Sequence, residues 1–206
     1  MQQGETRRDA ILEAMIRVAG SKGYLATSVA DVLTEAGASR TTFYKHFANK
    51  RECFLAAYSL AIERILGVAE AACEEEGDCW HDRARKALRA VVKLLSADRA
   101  LAQTAIVEVS AAGAEARRRH SAAIGRFSRL LESGGRPPYE GELELPPNTA
   151  QMTVGAVVGL ILDELREDRV VNLPHILPEL EFALLVPYLG PRAAAETAAW
   201  EAAASQ

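Results

Sequence analysis

TSVADVLTEAGASRTTFYKHFANK, residues 27–50, reads as two short helices joined by a tight turn. Ser28 stands three residues before Asp31, the spacing of a capping box, in which each side chain satisfies a backbone N–H at a helix start. Val29, Val32 and Leu33 follow at helical spacing and give the first helix one buried stripe. Gly37 ends it, because glycine alone enters the left-handed conformation without steric cost. Ser39 then caps a second helix that turns Phe43 and Phe47 inward, four residues apart, and leaves Arg40, Thr41, Thr42, Tyr44 and Lys45 outward. Two helices crossing after a glycine-containing turn make a helix-turn-helix. The second helix of that motif fits the major groove of DNA.

The residues T-S-V-A-D-V, A-G-A-S and F-Y-K-H-F-x-N-K carry a family resemblance. With their spacing they resemble the N-terminal domain of the tetracycline-repressor (TetR) family, over residues 6 to 58. Tyr44, His46, Phe47 and Lys50 all fall at family spacing. The resemblance implies that positions matching Tyr44 and Lys50 hold phosphate, and that those matching Arg40, Thr41 and Thr42 approach bases. It further implies a dimer built on the last two long helices, commonly as a four-helix bundle, and an effector pocket in the body.

Side-chain chemistry leads to the same surface. Arg40 suits a bidentate contact to a guanine edge, and the two threonines suit a thymine methyl or a phosphate. Tyr44, Lys45 and His46 suit the DNA backbone, although His46 reads equally well as a structural histidine. Lys50 opens the next helix, where its ammonium and the helix N-terminus both favour an anion. Thr27 and Ser39, at the entries to the two helices, complete the DNA-binding set. Arg7 and Arg8 either reach the DNA backbone or are solvated first-turn charges.

The net charge of −4 argues against nucleic acid until its distribution is considered. Residues 1–52 carry +2 and the remainder −6, and Ser39–Glu52 holds four basic residues against one acidic. A small basic site on an acidic body suits a protein that meets phosphate at one end only. At 49% hydrophobic and 25% charged, the 206 residues can build a buried core and a polar surface. The chain contains no stretch of 18 uncharged apolar residues and the N-terminus has no signal-peptide core, so the expectation is a cytoplasmic protein with no membrane partner. Three cysteines are an odd count for a disulfide framework and suit a reducing compartment.

The rest of the chain reads as helices. Thr6 and Asp9 open the first, and Gly23 closes it. Asn49 and Glu52 cap a long helix over 50–75, broken at Gly77. Further helices are expected over 78–97, 101–109 and 124–131. Residues 133–147 form a glycine- and proline-rich loop. Asn148 caps a helix, 148–167, whose MTVGAVVGLIL has almost no polar face and must be covered on all sides, and Gly155 and Gly159 would let another backbone approach. The segment 177–189 carries Pro187 and is stopped by Gly190-Pro191, before an Ala-rich helix over 192–204. The fold class is therefore all-α: a helix-turn-helix domain at 1–48 and a helical effector-binding and dimerisation domain at 49–206. Palindromic double-stranded DNA is the expected partner, read by a homodimer joined through helices near 148–167 and 177–189.

Trp80, Leu88, Val92, Leu95, Ile106 and Phe127 lie on apolar stripes and are the candidate pocket lining for an apolar or weakly polar effector, as against plain core. Cys73, Cys79 and His81, with Glu74, Glu75 and Asp82 nearby, offer an alternative metal- or thiol-sensing role, but their spacing matches no usual zinc pattern. Buried thiols beside a helix break are the plainer reading, so no metal and no cofactor are expected. Without a phosphate loop, an H-E-x-x-H or a nucleophile elbow, the sequence does not read as an enzyme.

Overall fold

The computed structural model of the chain describes residues 2–73, 79–133 and 145–204, with side chains from residue 7 onward except at 171 and 199–204. Among these residues the secondary structure is entirely helical. The backbone divides into two compact units, one of residues 1–64 with 98–121 and the other of 65–97 with 122–206. The boundary expected at residues 48/49 lies inside the first unit.

In the first unit, α1 (Gln2–Lys22), α2 (Val29–Ala36) and α3 (Arg40–His46) precede the start of α4 (Lys50–Ala72). Helix α1 begins before Thr6, which therefore stands inside it and not at its cap. Ile11, Met15, Ile16 and Ala19 form its buried stripe. The segment expected to be one helix over 101–109 is three short pieces: α6 (Arg99–Ala102), a π turn at Gln103–Val107 and a 3-10 turn at Glu108–Ala112. Thr104, Ile106, Val107 and Val109 are β-branched and weaken a regular helix there. Tertiary contacts then decide the outcome: buried Thr104 donates from Oγ1 to the Ile16 carbonyl at 3.0 Å. Helix α1 also packs so closely on α6 that a Cβ at Gly20 would overlap the Ala100 backbone.

Helix α7 (Ala114–Ser133) starts ten residues before the apolar run at 124–131 that signalled it. Its first turns are polar, and Glu115 joins them by pairing with Arg118 at 2.5 Å and Arg119 at 3.3 Å. Helices α4 and α7 each continue from the first unit into the second.

The second unit is built on α5 (Trp80–Ala97), α8 (Thr149–Arg166) and α9 (Leu177–Ala204), with a 3-10 turn at Val170–Asn172. Within α9, Gly190 has φ 76° and ψ 165°, so the chain leaves helical geometry there, as Gly190-Pro191 led us to expect. Asn148 precedes α8, but its side chain makes no capping bond. Thr149 turns back instead, and its Oγ1 donates to the Pro146 carbonyl at 2.7 Å. On α8, Ala150, Val154, Val157, Ile161 and Leu165 are buried at helical spacing. Glu181 on α9 is only 1% exposed and accepts from Arg85 Nε at 3.1 Å and Arg89 Nε at 2.6 Å, both on α5. Leaving a carboxylate that deep without such partners would be strongly destabilising.

The loop expected at 133–147, the break at Gly77 and the carboxylates Glu74 and Glu75 fall largely or wholly outside the described residues.

Candidate nucleic-acid interface

Local capping sets the geometry of α2 and α3. Ser28 Oγ accepts from Asp31 N–H at 3.2 Å, and the Asp31 carboxylate accepts from Ser28 N–H at 2.7 Å, which closes the capping box. Lys22 and Ser28, both hydrogen-bonded to Asp31, hold its carboxyl well below the usual range. Gly37 takes φ 59°, and Ala38 N–H reaches the Leu33 carbonyl at 3.0 Å, so the turn into α3 is hydrogen-bonded. Ser39 Oγ accepts from Thr42 N–H at 3.1 Å. Beneath α3, Phe43 and Phe47 are buried with ring centroids 5.6 Å apart, and the guanidinium of Arg8 lies 5.5 Å above the Phe47 ring. That contact gives Arg8 a packing role against the α3 terminus.

Five side chains stand on the outer face of the motif. Ser39, Arg40, Thr41, Tyr44 and Lys45 are exposed. Tyr44 is held edge-on to Phe43, with centroids 5.3 Å apart at 82°. Thr42 is half-buried, and its hydroxyl lies 2.9 Å from Ser39 Oγ, which ties it to the cap. His46 is half-buried, its ring 6.2 Å from that of Phe47.

Two members of the expected set are engaged inside the fold. Thr27 is only 2% exposed, its Oγ1 donates to the Gly23 carbonyl at 2.8 Å, and its own carbonyl accepts from Lys50. Its side chain has no surface to offer DNA. Lys50 points its ammonium inward, to the carbonyls of Thr27 at 2.8 Å, Tyr24 at 3.0 Å and Leu25 at 3.5 Å. It also lies 4.4 Å from the centroid of the Tyr24 ring. An ammonium has three donors, and here three carbonyls face them. Sequence spacing placed Lys50 beside a phosphate, whereas the fold gives it a loop to hold.

Tyr24 and Glu108 were not singled out from the sequence. Tyr24 is buried against Phe54, with ring centroids 4.6 Å apart, and its N–H donates to Glu108 Oε2 at 2.6 Å. An aromatic directly after Gly23, where the first helix closes, was a usable signal for Tyr24. Glu108 is 84 residues away in sequence and carried no local signal.

Four of the six body residues singled out from the sequence share α5. Trp80, Leu88, Val92 and Leu95 are buried on α5, and Trp80 Nε1 donates to the Leu131 carbonyl at 2.7 Å while its ring meets Tyr188 at 4.7 Å. Phe127 is half-buried in the same unit, whereas Ile106 belongs to the first. Among the described residues, a cleft of about 430 Å³ in the second unit is lined by Arg85, Ala193, Glu196 and Thr197. Cys53, Cys73 and Cys79 are all thiols. Burial pushes Cys53 up to about 12, which makes it unreactive. Cys79 Sγ lies 2.7 Å from Asp82 Oδ2 and 3.1 Å from His81 Nε2, while Cys73 Sγ is directed to the Arg83 carbonyl at 3.9 Å. The structure thus groups Cys79 with His81 and Asp82 and separates Cys73 from them. Among the described residues no helix is long and apolar enough to cross a membrane.

Residues 11–57 match the family model described as bacterial regulatory proteins, tetR family. Over 71 residues the chain is 38% identical to the HTH-type transcriptional repressor ComR of Escherichia coli (strain K12), a match that spans 34% of this chain and 34% of that protein. Two solved structures share the fold across nearly the whole chain. The fatty acid degradation regulator FadR from Bacillus halodurans superposes with a TM-score of 0.74 at 19% identity, over 90% of this chain and 96% of that one. The transcriptional regulator FadR from Bacillus subtilis, in complex with stearoyl-CoA, gives 0.72 at 17% identity, over 88% and 97%.

Proposed function

We propose that the chain, whose residues 11–57 match the tetR family of bacterial regulatory proteins, is a homodimeric repressor of that family that reads a palindromic operator and is released from it by a small effector. The observation that carries this reading is the outer face of α3, where Arg40, Thr41, Tyr44 and Lys45 stand exposed on a helix fixed by its serine cap and two buried phenylalanines. Arg40 supplies sequence preference, and Tyr44 and Lys45 supply phosphate contacts, with His46 as a flanking group. Residues 1–48 read DNA, and 49–206 hold the subunit interface and the effector site. The chain acts by binding and not by turnover.

Selection of duplexes from a random library by the purified protein tests the reading. The expected product is an inverted repeat with half-sites about one helical turn or a multiple apart, bound with an affinity that falls steeply with salt. Recovery of no enriched duplex at low ionic strength sinks it.

Helices α8 and α9 supply the interface. Met152 is 61% exposed, Leu160 39% and Phe182 37%, and a Cβ at Gly155 or Gly159 would meet nothing within 4 Å. An apolar stripe with two open glycines suits a second copy of the same helix pair. Gly159→Arg is expected to leave the monomer folded and to abolish the dimer in light scattering. An unchanged dimer mass would move the interface elsewhere.

The effector site is expected in the second unit, among the apolar side chains of α5. The stearoyl-CoA bound by the Bacillus subtilis relative supports an apolar component in the ligand. Thermal-shift screening is expected to favour apolar or weakly polar compounds, and stabilisation by highly charged ligands alone would overturn that choice. A second reading, metal sensing, draws on the ligand atoms of Cys79, His81 and Asp82, which lie within 4.8 Å of one another. Burial and the bond to Asp82 raise the Cys79 thiol, so metal uptake there would release a proton. Cobalt(II) titration separates the readings: a thiolate charge-transfer band lost in Cys79→Ser supports the metal, and its absence leaves the organic effector.

A further inference from the structure

The loop between α1 and α2, residues 23–27, fixes where the DNA-reading pair begins. Gly23 takes φ 87°, and Thr27 leads directly into the Ser28 cap. Two oppositely charged side chains hold this loop. Lys50 gathers the carbonyls of Tyr24, Leu25 and Thr27, and the carboxylate of Glu108 takes the N–H of Tyr24. Tyr24 is the shared anchor, bonded at its N–H by one and at its carbonyl by the other. Glu108 also lies against Gly23, 3.5 Å from where a Cβ would stand.

Glu108 is delivered by a break in helical geometry. Its own N–H bonds to the Gln103 carbonyl, closing the π turn, and a 3-10 turn begins at Glu108 itself. A π turn carries one more residue than an α turn, so every later side chain is rotated by about 100° relative to an uninterrupted helix. The segment is pinned just before that turn by the close packing of Gly20 on Ala100, and within it by Thr104 on the Ile16 carbonyl.

We propose that Glu108 is a positioning residue for operator binding: it sets the 23–27 loop, and through it α2 and α3, without touching DNA. This rests on the reading of α3 as the DNA-contacting helix. A carboxylate bonded to a backbone N–H makes a strong, charge-assisted hydrogen bond, and its loss loosens the loop more than a neutral bond would. The opposing expectation is electrostatic: a carboxylate near a phosphate-binding face repels DNA, and removing its charge would tighten binding.

Two substitutions in the full-length protein separate these effects. Glu108→Asp keeps the charge but withdraws it by one methylene, so the bond to Tyr24 is lost. Glu108→Gln removes the charge but keeps an oxygen that accepts from Tyr24. Binding is read by fluorescence anisotropy on a duplex that the parent protein has selected from a random library, at several salt concentrations. Glu108→Asp is expected to weaken binding about tenfold with the parent's salt slope, because no phosphate contact is removed. Glu108→Gln is expected to stay within about twofold of the parent. Amide exchange at Tyr24 should quicken in Glu108→Asp and not in Glu108→Gln. The proposal is overturned if Glu108→Asp binds as the parent does, if Glu108→Gln binds more tightly, or if the salt slope falls with affinity. A parent protein that selects no duplex defeats the DNA-binding reading itself, a different failure from a parent that binds and a Glu108→Asp variant that matches it.

Discussion

Replacing Lys50 with alanine separates a structural role from a phosphate contact. In the structure the ammonium makes two short bonds, 2.8 Å to the Thr27 carbonyl and 3.0 Å to that of Tyr24, and a longer one of 3.5 Å to Leu25. It also sits 4.4 Å from the centroid of the Tyr24 ring. A hydrogen bond to a charged group contributes about 1.5–3 kcal/mol net, and a cation–π contact at a partly exposed site adds about 0.5–1 kcal/mol. Against these stand the rotamer freedom that the lysine regains, about 1.5–2 kcal/mol, and water that reaches the loop carbonyls once the ammonium is gone. The net expectation is a loss of about 2 kcal/mol, or about 4–8 °C in Tm for a chain of this size. Calorimetry and salt-dependent anisotropy are to be run on the same preparation. Operator affinity falls under either role, so the salt slope decides. A structural lysine lowers Tm and leaves the slope alone, whereas a phosphate-binding lysine lowers the slope by about one and leaves Tm alone. An unchanged Tm with a reduced slope would refute the loop-holding argument.

Three further outcomes are expected. Arg40→Ala should lose about 1–3 kcal/mol of discrimination at one base position per half-site, seen as a single degenerate column on reselection, with Tm unchanged because the side chain is exposed. Gly20→Ala should cost about 1–3 kcal/mol of stability by forcing α1 away from Ala100, measured by denaturant midpoint. His120, half-buried with Nδ1 3.3 Å from the Tyr58 hydroxyl, has its proton affinity lowered by burial. Its folded-state pKa lies below the unfolded one, so its contribution is present above about pH 6.5 and is lost as the pH falls toward the folded value. His120→Gln should therefore flatten the decline of Tm between neutral pH and about pH 5 relative to the parent.

Features written over three or four residues were legible without coordinates. The bonds of Ser28 to Asp31 and of Ser39 to Thr42 follow from side chains that reach only their own helix start. Asn49 likewise accepts from Glu52 N–H at 2.9 Å, although Glu52 reaches back to Ala48 N–H at 2.7 Å, one residue beyond the capping-box partner. Apolar periodicity misled where helices carried few apolar residues, and so α7 begins ten residues before its first signal. Asn148 had a favourable cap position, yet its side chain makes no capping bond, and the contact at this helix start is instead Thr149 Oγ1 donating to the Pro146 carbonyl.

By itself the sequence determined the motif: a capped helix, a left-handed glycine, a second capped helix and a polar face on it, all set by interactions too short in range to depend on the rest of the fold. Tertiary structure alone decided which charges on that motif meet solvent. Lys50 looks identical to Lys45 in a linear reading, but carbonyls 23 to 26 residues earlier claim its ammonium. Glu108 and the Arg85–Glu181–Arg89 cluster are likewise defined by partners 84 to 96 residues distant. A charged side chain goes to whichever groups the folded backbone brings within about 3 Å, and periodicity carries no record of that choice.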